Sequence, residues 1–154
     1  MIRLSVPGTL LFRAVVLRVA ASSCRLMRSM TAVSGINGKQ EASREEQDFD
    51  AKVLSAVGEA FNNVAIHAYR GSTAGTVDLE FEIRKQGITI RISDSGASFE
   101  PAEVLAPDLA TLPESHMGLY IVRSCMDEVS YERGHPPSAP NVLTLTKRYV
   151  AAGC

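Results

Sequence analysis

The chain has 154 residues and a formal net charge of −1, so it suits one domain with a sizeable buried core. Its composition, 45% apolar and 21% charged, is typical of an ordinary globular domain. The near-neutral charge, without any long Lys/Arg run, argues against direct binding of nucleic acid. Three widely spaced cysteines without a CxxC pair argue against a disulfide framework or a zinc site, and favour free thiols in a reducing cytoplasm.

The first 21 residues are apolar with scattered arginines. Arg13 and Arg18 interrupt this apolar stretch. A signal peptide needs an uninterrupted apolar centre, and a membrane span needs about 20 apolar residues in a row. We therefore expect folded structure here, in a cytoplasmic protein that does not associate with a membrane.

The chain then proceeds through a strand, a helix and a polar connection. Residues 2–6 alternate between apolar and polar, which predicts a half-buried strand. Helical spacing of apolar residues predicts an amphipathic helix from Thr9 to about Met30. The predicted buried stripe of this helix consists of Leu11, Val15 and Val19. Residues 31–47 are polar and contain Ser-Gly and Asn-Gly pairs, so they predict a flexible connection.

A second helix is predicted from Asp48 or Asp50, either of which can cap it, to about Tyr69. Its apolar face, with spacings of four, four, three and four, consists of Val53, Val57, Phe61, Val64 and Ala68. Alternation over 76–85 and again over 88–92, with Gly87 between them, predicts a β-hairpin.

The last third of the chain is predicted to be loop, helix and strand. Residues 93–115 are rich in Pro, Gly, Ser and Asp, and helical spacing returns from Met117 to Val129. A final strand includes Val142 and Leu145. This order predicts one α+β domain over residues 1–150, a two-layer sandwich with a mainly antiparallel sheet and helices on one face.

The first feature with chemical potential is a polar line on the second helix. Glu59, Asn63 and His67 lie four residues apart and would share one side of a regular helix. A carboxylate and a carboxamide one turn apart offer hard oxygen ligands for Mg²⁺ or a base for a hydroxyl. For a single pair, a solvated polar face explains the same residues, and His67 alone is more often structural.

The second feature is Asp94-Ser-Gly96-Ala-Ser-Phe99-Glu-Pro101, directly after a predicted strand. A carboxylate at a strand end can accept a hydrogen bond from an exocyclic amine such as adenine N6. A nearby glycine lets a planar base approach the backbone closely. Taken alone, Asp-Ser-Gly is equally good turn chemistry.

The third feature is Gly118-Leu119, which opens a predicted helix after the long loop. Helix N-termini present free N–H groups and the positive end of the dipole, so they bind phosphates. A glycine in the first turn permits close approach, although a single glycine can equally serve packing.

Taken together, Glu-x-x-x-Asn, Asp-x-Gly-x-x-Phe-x-Pro and Gly-Leu resemble the N, G1 and G2 boxes of the GHKL ATPases, which include gyrase and the sensor histidine kinases. Residues 56–69 and 118–129 resemble more closely the anti-sigma-factor serine kinases of the sporulation and general-stress type. The similarity covers nearly the whole chain.

This resemblance implies a role for each of the motif residues. Glu59 would be the general base that activates a Ser or Thr hydroxyl, and Asn63 would hold Mg²⁺ bridging the phosphates of ATP. Asp94 would read adenine and Gly96 would make room for it. Gly118, with Leu119 beside it, would face the phosphates at the helix N-terminus.

By the same resemblance, residues 98–117 would form a lid over ATP. Related proteins tend to have glycines at the end of this lid, where this chain has Ser115-His116.

The resemblance also implies an ATP-dependent serine/threonine kinase that inhibits a sigma factor and phosphorylates an anti-anti-sigma protein of the STAS type. We expect it to form a homodimer. One alternative is a module that binds ATP and a partner without transferring phosphate. Another is the catalytic domain of a histidine kinase, which would need a phosphoacceptor helix pair that we do not find in the sequence.

Overall fold

The structure is a computed structural model that describes residues 1–31, 42–69, 73, 75–99, 117–135 and 138–150. Within these ranges, five strands form one antiparallel sheet in the order β1-β2-β3-β5-β4. The strands are β1 Ile2–Pro7, β2 Thr76–Arg84, β3 Gly87–Asp94, β4 Glu128–Glu132 and β5 Asn141–Arg148. The helices are α1 Arg13–Thr31, α2 Arg44–Asn63 and α3 Met117–Cys125, with a 3₁₀ turn at Leu10–Phe12 and a π turn at Val64–Ala68.

The β2–β3 hairpin separates a buried face of the sheet from a polar face, as its alternation predicted. Val77, Leu79 and Phe81 are fully buried, whereas Asp78 between them is exposed. Strand residues alternate between the two faces, so all the apolar side chains of β2 point toward the helices. The α+β prediction, with helices on one face of an antiparallel sheet, is confirmed.

Helix α1 forms where expected but buries a different stripe. Leu11 and Val15 are 88% and 43% exposed. The side chains of α1 that are fully buried are Val16, Ala20, Ser23, Cys24 and Met27. Because most residues of this segment are apolar, the sequence holds more than one stripe with helical spacing, and packing against the sheet selects among them. In the described part of the chain, no helix is both long and apolar enough to cross a membrane.

Helix α2 begins before the position that the sequence indicated. Ser43, rather than Asp48 or Asp50, is its N-cap. The Ser43 hydroxyl accepts a hydrogen bond from the Glu46 N–H at 3.2 Å, and the Glu46 carboxylate accepts one from the Ser43 N–H at 2.7 Å. This capping box makes residues 44–47 helical, so they are not part of a flexible connection. Residues 32–41 of that predicted connection lie outside the described ranges.

The apolar face predicted for the second helix is confirmed, since all five of its residues are buried. Three of these residues lie in α2 and two in the π turn that follows it, and α2 packs beside α1 and α3. Its remaining sides are free to carry polar groups, which include Glu59 and Asn63.

Helix α3 is shorter than predicted, because residues 128–132 form strand β4 and not a continuation of the helix. Val129 and Tyr131 are half-buried on one face of β4, opposite exposed residues on the other. The segment Glu-Val-Ser-Tyr-Glu thus carries the two-residue period of a strand. Its first apolar residue, Val129, also fits the helical spacing of the apolar residues before it, so the local sequence is compatible with a helix as well.

Candidate functional site

The first turn of α3 lies directly against the polar side of α2. A Cβ atom placed on Gly118 would be 2.9 Å from Oε2 of Glu59 and 3.3 Å from Oδ1 of Asn63. The missing side chain at Gly118 therefore lets the helix N-terminus face both polar groups at van der Waals distance. The first backbone N–H groups of a helix have no partner within the helix and attract anions. The structure thus brings together three of the residues selected from the sequence.

Asn63 is half-buried, and the nitrogen of its side-chain amide is buried without a hydrogen bond. Its Nδ2 atom has no partner among the described residues. An unsatisfied buried donor costs about 1–3 kcal/mol, so such groups in a native protein call for an explanation, for example a ligand. We interpret the free amide as a group that becomes satisfied when a polar ligand binds beside Gly118.

The donor set around Asn63 fits a magnesium ion that is held jointly with phosphates. Mg²⁺ takes hard oxygen ligands and usually binds one or two protein oxygens, with phosphates and water filling the rest. The Asn63 carbonyl oxygen and the Glu59 carboxylate are oxygens of this kind. No group of three His, Cys, Asp or Glu side chains suited to a metal is present in the described ranges. The residues present therefore fit a shared ion and do not form a complete protein cage.

The helix changes its geometry immediately after Asn63. Residues Val64–Ala68 form a π turn, in which the hydrogen-bond spacing is five residues instead of four. The four-residue spacing that placed His67 in line with Glu59 and Asn63 therefore ends at Asn63. The π turn is followed by Tyr69, which lies beside the end of β3.

Asp94 is the buried carboxylate at the end of β3, with 5% of its surface exposed. Its Oδ1 atom accepts hydrogen bonds from the Gly96 N–H at 2.8 Å and from Nδ2 of Asn141 at 3.3 Å. Burial raises the pKa of Asp94, while these two hydrogen bonds act in the opposite direction. Since both described donors reach Oδ1, the second oxygen is left to accept a hydrogen bond from a ligand.

Gly96 lies against the C-terminal end of the π turn. A Cβ atom on Gly96 would be 2.4 Å from the carbonyl oxygen of Ala68, which also accepts the Ala97 N–H at 2.7 Å. Only glycine permits this close approach between two backbone segments. The structural need for glycine here is therefore contact with Ala68, and the role of Gly96 in admitting a base stays a prediction.

A small cavity is lined both by Asn63, which lies beside Gly118, and by the buried Asp94. Its lining consists of Ala60, Asn63, Val64, Asp94, Phe99, Leu119, Tyr131 and Leu143. Its volume is about 10 Å³, which is room for about one water molecule. The Phe99 and Tyr131 rings meet edge to face at 6.0 Å, and the Phe99 N–H donates to the Tyr131 hydroxyl at 3.0 Å. A purine ring would have to displace this pair to enter beside Asp94.

All six residues selected from the sequence thus lie in one region. Asn63 connects its two parts, because it lies beside Gly118 and also lines the cavity next to Asp94. The family model for the histidine kinase-like ATPase domain matches residues 17–147, a range that contains all six. The chain belongs to the histidine kinase-like ATPase family.

Two curated relatives show the same similarity over most of their length. The serine-protein kinase RsbW of Staphylococcus aureus is 32% identical over 143 residues, which is 87% of this chain and 85% of the relative. The protein of the same name from strain JH9 is 32% identical over 123 residues, covering 74% and 76% of the two chains. This chain is therefore a histidine kinase-like ATPase domain with relatives of nearly its full length.

The ATPase domain also contains site residues that the sequence did not reveal. Asn141 is 1% exposed, and its amide donates to Asp94 and to the Gly96 carbonyl at 3.1 Å. Its Oδ1 accepts from the Ser98 hydroxyl at 2.7 Å and the Gly134 N–H at 3.0 Å. The cross-strand pairing of Asp94 with Asn141 brings these residues together. No local pattern identifies Asn141, because that pairing joins residues 47 positions apart.

Proposed function

We propose that this protein is an ATP-dependent serine/threonine-protein kinase. The observation that carries the proposal is the placement of Glu59 and Asn63 against the Gly118 helix N-terminus, next to a cavity that ends at the buried Asp94. The part formed by Glu59, Asn63 and Gly118, which we call the phosphate half, suits a phosphate chain with its metal. The part around Asp94, which we call the base half, suits the purine base of a nucleotide. The relatives named serine-protein kinase support the same reading.

In the base half, Asp94 would accept a hydrogen bond from the exocyclic amine of adenine. The Gly96 N–H and the Asn141 amide fix Oδ1, so Oδ2 would meet the amine without reorganisation. Guanine presents a carbonyl oxygen at that position and would face the carboxylate with an acceptor instead. Entry of the base would require the Phe99 and Tyr131 rings to separate.

In the phosphate half, the N–H groups at the start of α3 would bind phosphate oxygens. The Asn63 carbonyl oxygen would be a ligand of Mg²⁺. When bound, the ion neutralises charge on the phosphates, which phosphoryl transfer needs. Leu119 is 5% exposed and packs at the junction of the two halves.

Glu59 would be the general base of the reaction. Its carboxylate is partly exposed and lies at the mouth of the phosphate half, where a protein substrate can reach it. It would accept the proton of a Ser or Thr hydroxyl as that oxygen forms a bond to the γ-phosphorus and the bond to ADP breaks. The proton would then pass from Glu59 to solvent.

The substrate would be an anti-anti-sigma protein with a STAS domain, and the kinase would inhibit a sigma factor by binding it. We propose a homodimer in the cytoplasm, where ATP and the transcription machinery are found.

The test compares wild type, Glu59→Gln and the control Glu45→Gln, which changes an exposed glutamate of the same helix. Transfer of radiolabelled γ-phosphate to the cognate STAS-domain protein and the Kd for ATP with Mg²⁺ are both measured. We expect Glu59→Gln to lose transfer by at least about 100-fold, because general bases contribute 10²–10⁴. Its Kd should stay within about threefold, since Gln keeps the size of the side chain, and Glu45→Gln should match wild type.

Two other outcomes would be informative. Wild type that binds ATP with Mg²⁺ but transfers no phosphate would overturn the kinase proposal in favour of an ATP-dependent binding module. Equal loss of transfer and of ATP binding in Glu59→Gln would assign Glu59 a structural role.

A further inference from the structure

Tyr69 caps the C-terminal end of the π turn and is 9% exposed. Its ring covers two glycines. A Cβ on Gly8 would lie 2.6 Å from Cε2 of the ring, and a Cβ on Gly75 would lie 2.7 Å from its Cε1. The ring is therefore fixed between the end of β1 and the start of β2.

The hydroxyl of Tyr69 joins two backbone segments. It donates to the Thr76 carbonyl at 3.1 Å and accepts from the Ser95 N–H at 3.3 Å. Burial raises the pKa of Tyr69, so the hydroxyl keeps its proton at neutral pH and remains a donor. Through this bridge, the start of β2 holds the first residue after Asp94.

Two consecutive residues thus anchor the same turn. The Ala68 carbonyl accepts the Ala97 N–H at 2.7 Å, and Tyr69 accepts the Ser95 N–H. The Gly96 N–H between these two contacts donates to Asp94. The chain from Asn63 through the π turn therefore links the phosphate half of the site to the base half within six residues.

We propose that Tyr69 is a positioning residue for recognition of the base: its hydroxyl holds the turn 95–97 in the conformation in which Asp94 presents its free oxygen to the exocyclic amine of the nucleotide. This inference rests on the proposed function, since it concerns the same nucleotide. Tyr69 acts through Asp94 and need not touch the ligand itself.

The two parts of the side chain separate this role from simple packing. A phenylalanine at position 69 keeps the ring against Gly8 and Gly75 but removes the bridge and leaves the Ser95 N–H without its acceptor. If only packing matters, Tyr69→Phe changes stability and leaves selectivity for the base as it was. If the bridge positions Asp94, selectivity for the amine falls.

The experiment measures the Kd of ATP and of purine riboside triphosphate, which lacks the 6-amino group, for four proteins. They are wild type, Tyr69→Phe, Asp94→Asn and the matched control Tyr149→Phe. Tyr149 is partly exposed, and its ring contacts Phe49 outside the cavity described above. The readout is the ratio of the two Kd values, which a uniform loss of folded protein does not change.

We expect wild type to prefer ATP and Asp94→Asn to lose the preference. Tyr69→Phe should reduce it by about two- to tenfold, the equivalent of one hydrogen bond, and Tyr149→Phe should keep it. Amide hydrogen exchange of wild type gives a second readout that needs no variant, in which the Ser95 N–H is expected to be protected.

The possible failures are distinguishable. An unchanged ratio in Tyr69→Phe, beside a lost ratio in Asp94→Asn, would overturn the positioning role and leave the proposed function standing. Rapid exchange at Ser95 in folded wild type would overturn it as well. Wild type without any preference for the 6-amino group would overturn both the reading of the base by Asp94 and the role of Tyr69.

Discussion

Replacement of Gly118 by alanine should separate the stability of the protein from its activity. The new Cβ would lie 2.9 Å from Oε2 of Glu59 and 3.3 Å from Oδ1 of Asn63, so at least the Glu59 carboxylate must move. Both atoms are at the ends of side chains, and Glu59 is partly exposed, so this movement costs little free energy. Alanine in place of glycine stabilises a helix by up to about 1 kcal/mol. The free energy of unfolding should therefore change by less than about 1 kcal/mol, a shift in Tm of no more than about 2–4 °C.

The activity of Gly118→Ala should fall much more than its stability. The methyl group fills the space between the α3 N-terminus and the two polar groups of α2. A displacement of about 1 Å in a positioned catalytic group can cost about 100-fold in rate. We expect a loss of phosphotransfer of that order, together with weaker binding of ATP.

The assay pairs phosphotransfer with urea unfolding, and Gly58→Ala serves as the matched control. Gly58 is also a helical glycine and precedes Glu59, but a Cβ there would meet the Arg13 guanidinium at 2.8 Å, on the side facing α1. That variant should keep wild-type activity. If Gly118→Ala transfers phosphate within about threefold of wild type, the face between α2 and α3 is not the phosphate site and the reasoning is refuted.

Three further predictions concern the turn after β3 and the thiols. Gly96→Ala should destabilise the protein by about 1–3 kcal/mol in urea unfolding, because its Cβ would lie 2.4 Å from the Ala68 carbonyl oxygen; unchanged stability would mean that the turn does not dock there. Burial raises the pKa of the Asp94 carboxyl above its value in the unfolded chain, so the folded state binds the carboxyl proton more tightly. The free energy of unfolding therefore falls as the pH rises from the unfolded pKa to the folded pKa. Asp94→Asn should lack this component when stability is measured across that pH range, and an identical pH dependence would contradict the assignment. Burial raises the pKa of the Cys24 thiol to about 12. Iodoacetamide at pH 8 should therefore leave Cys24 unmodified in the native protein while it labels the partly exposed Cys125. Peptide mass spectrometry measures both modifications.

The parts of the fold that could be predicted are those set by short-range patterns. The alternation along β2 and β3 and the apolar face of α2 each reflect one periodicity repeated several times. Glu59 and Asn63 could be selected because both lie on one helix, and Gly118 because it opens another. In each case the residues that define the feature are neighbours in the sequence.

The parts that could not be predicted depend on contacts between distant segments. Asn141 reaches Asp94 through the β3–β5 register, and the Tyr69 hydroxyl meets the Ser95 N–H across 26 positions of the sequence. Strand β4 could not be predicted because Val129 fits a helical spacing with Val122 and equally a strand spacing with Tyr131. Tertiary packing decides between such patterns, and the local sequence does not.

The capping box of α2 has a consequence for how this domain can diverge. Ser43 and Glu46 satisfy each other's backbone N–H groups, so the helix start is specified within four residues. The residue at which α2 starts is therefore set locally, by segment 43–46. Insertions, deletions and substitutions among residues 32–41 should therefore accumulate without shifting Glu59 and Asn63, which lie about four and a half and five and a half turns after Ser43 in the same helix. The domain can in this way acquire new sequence next to its first helix while the arrangement of Glu59 and Asn63 on α2 is inherited unchanged.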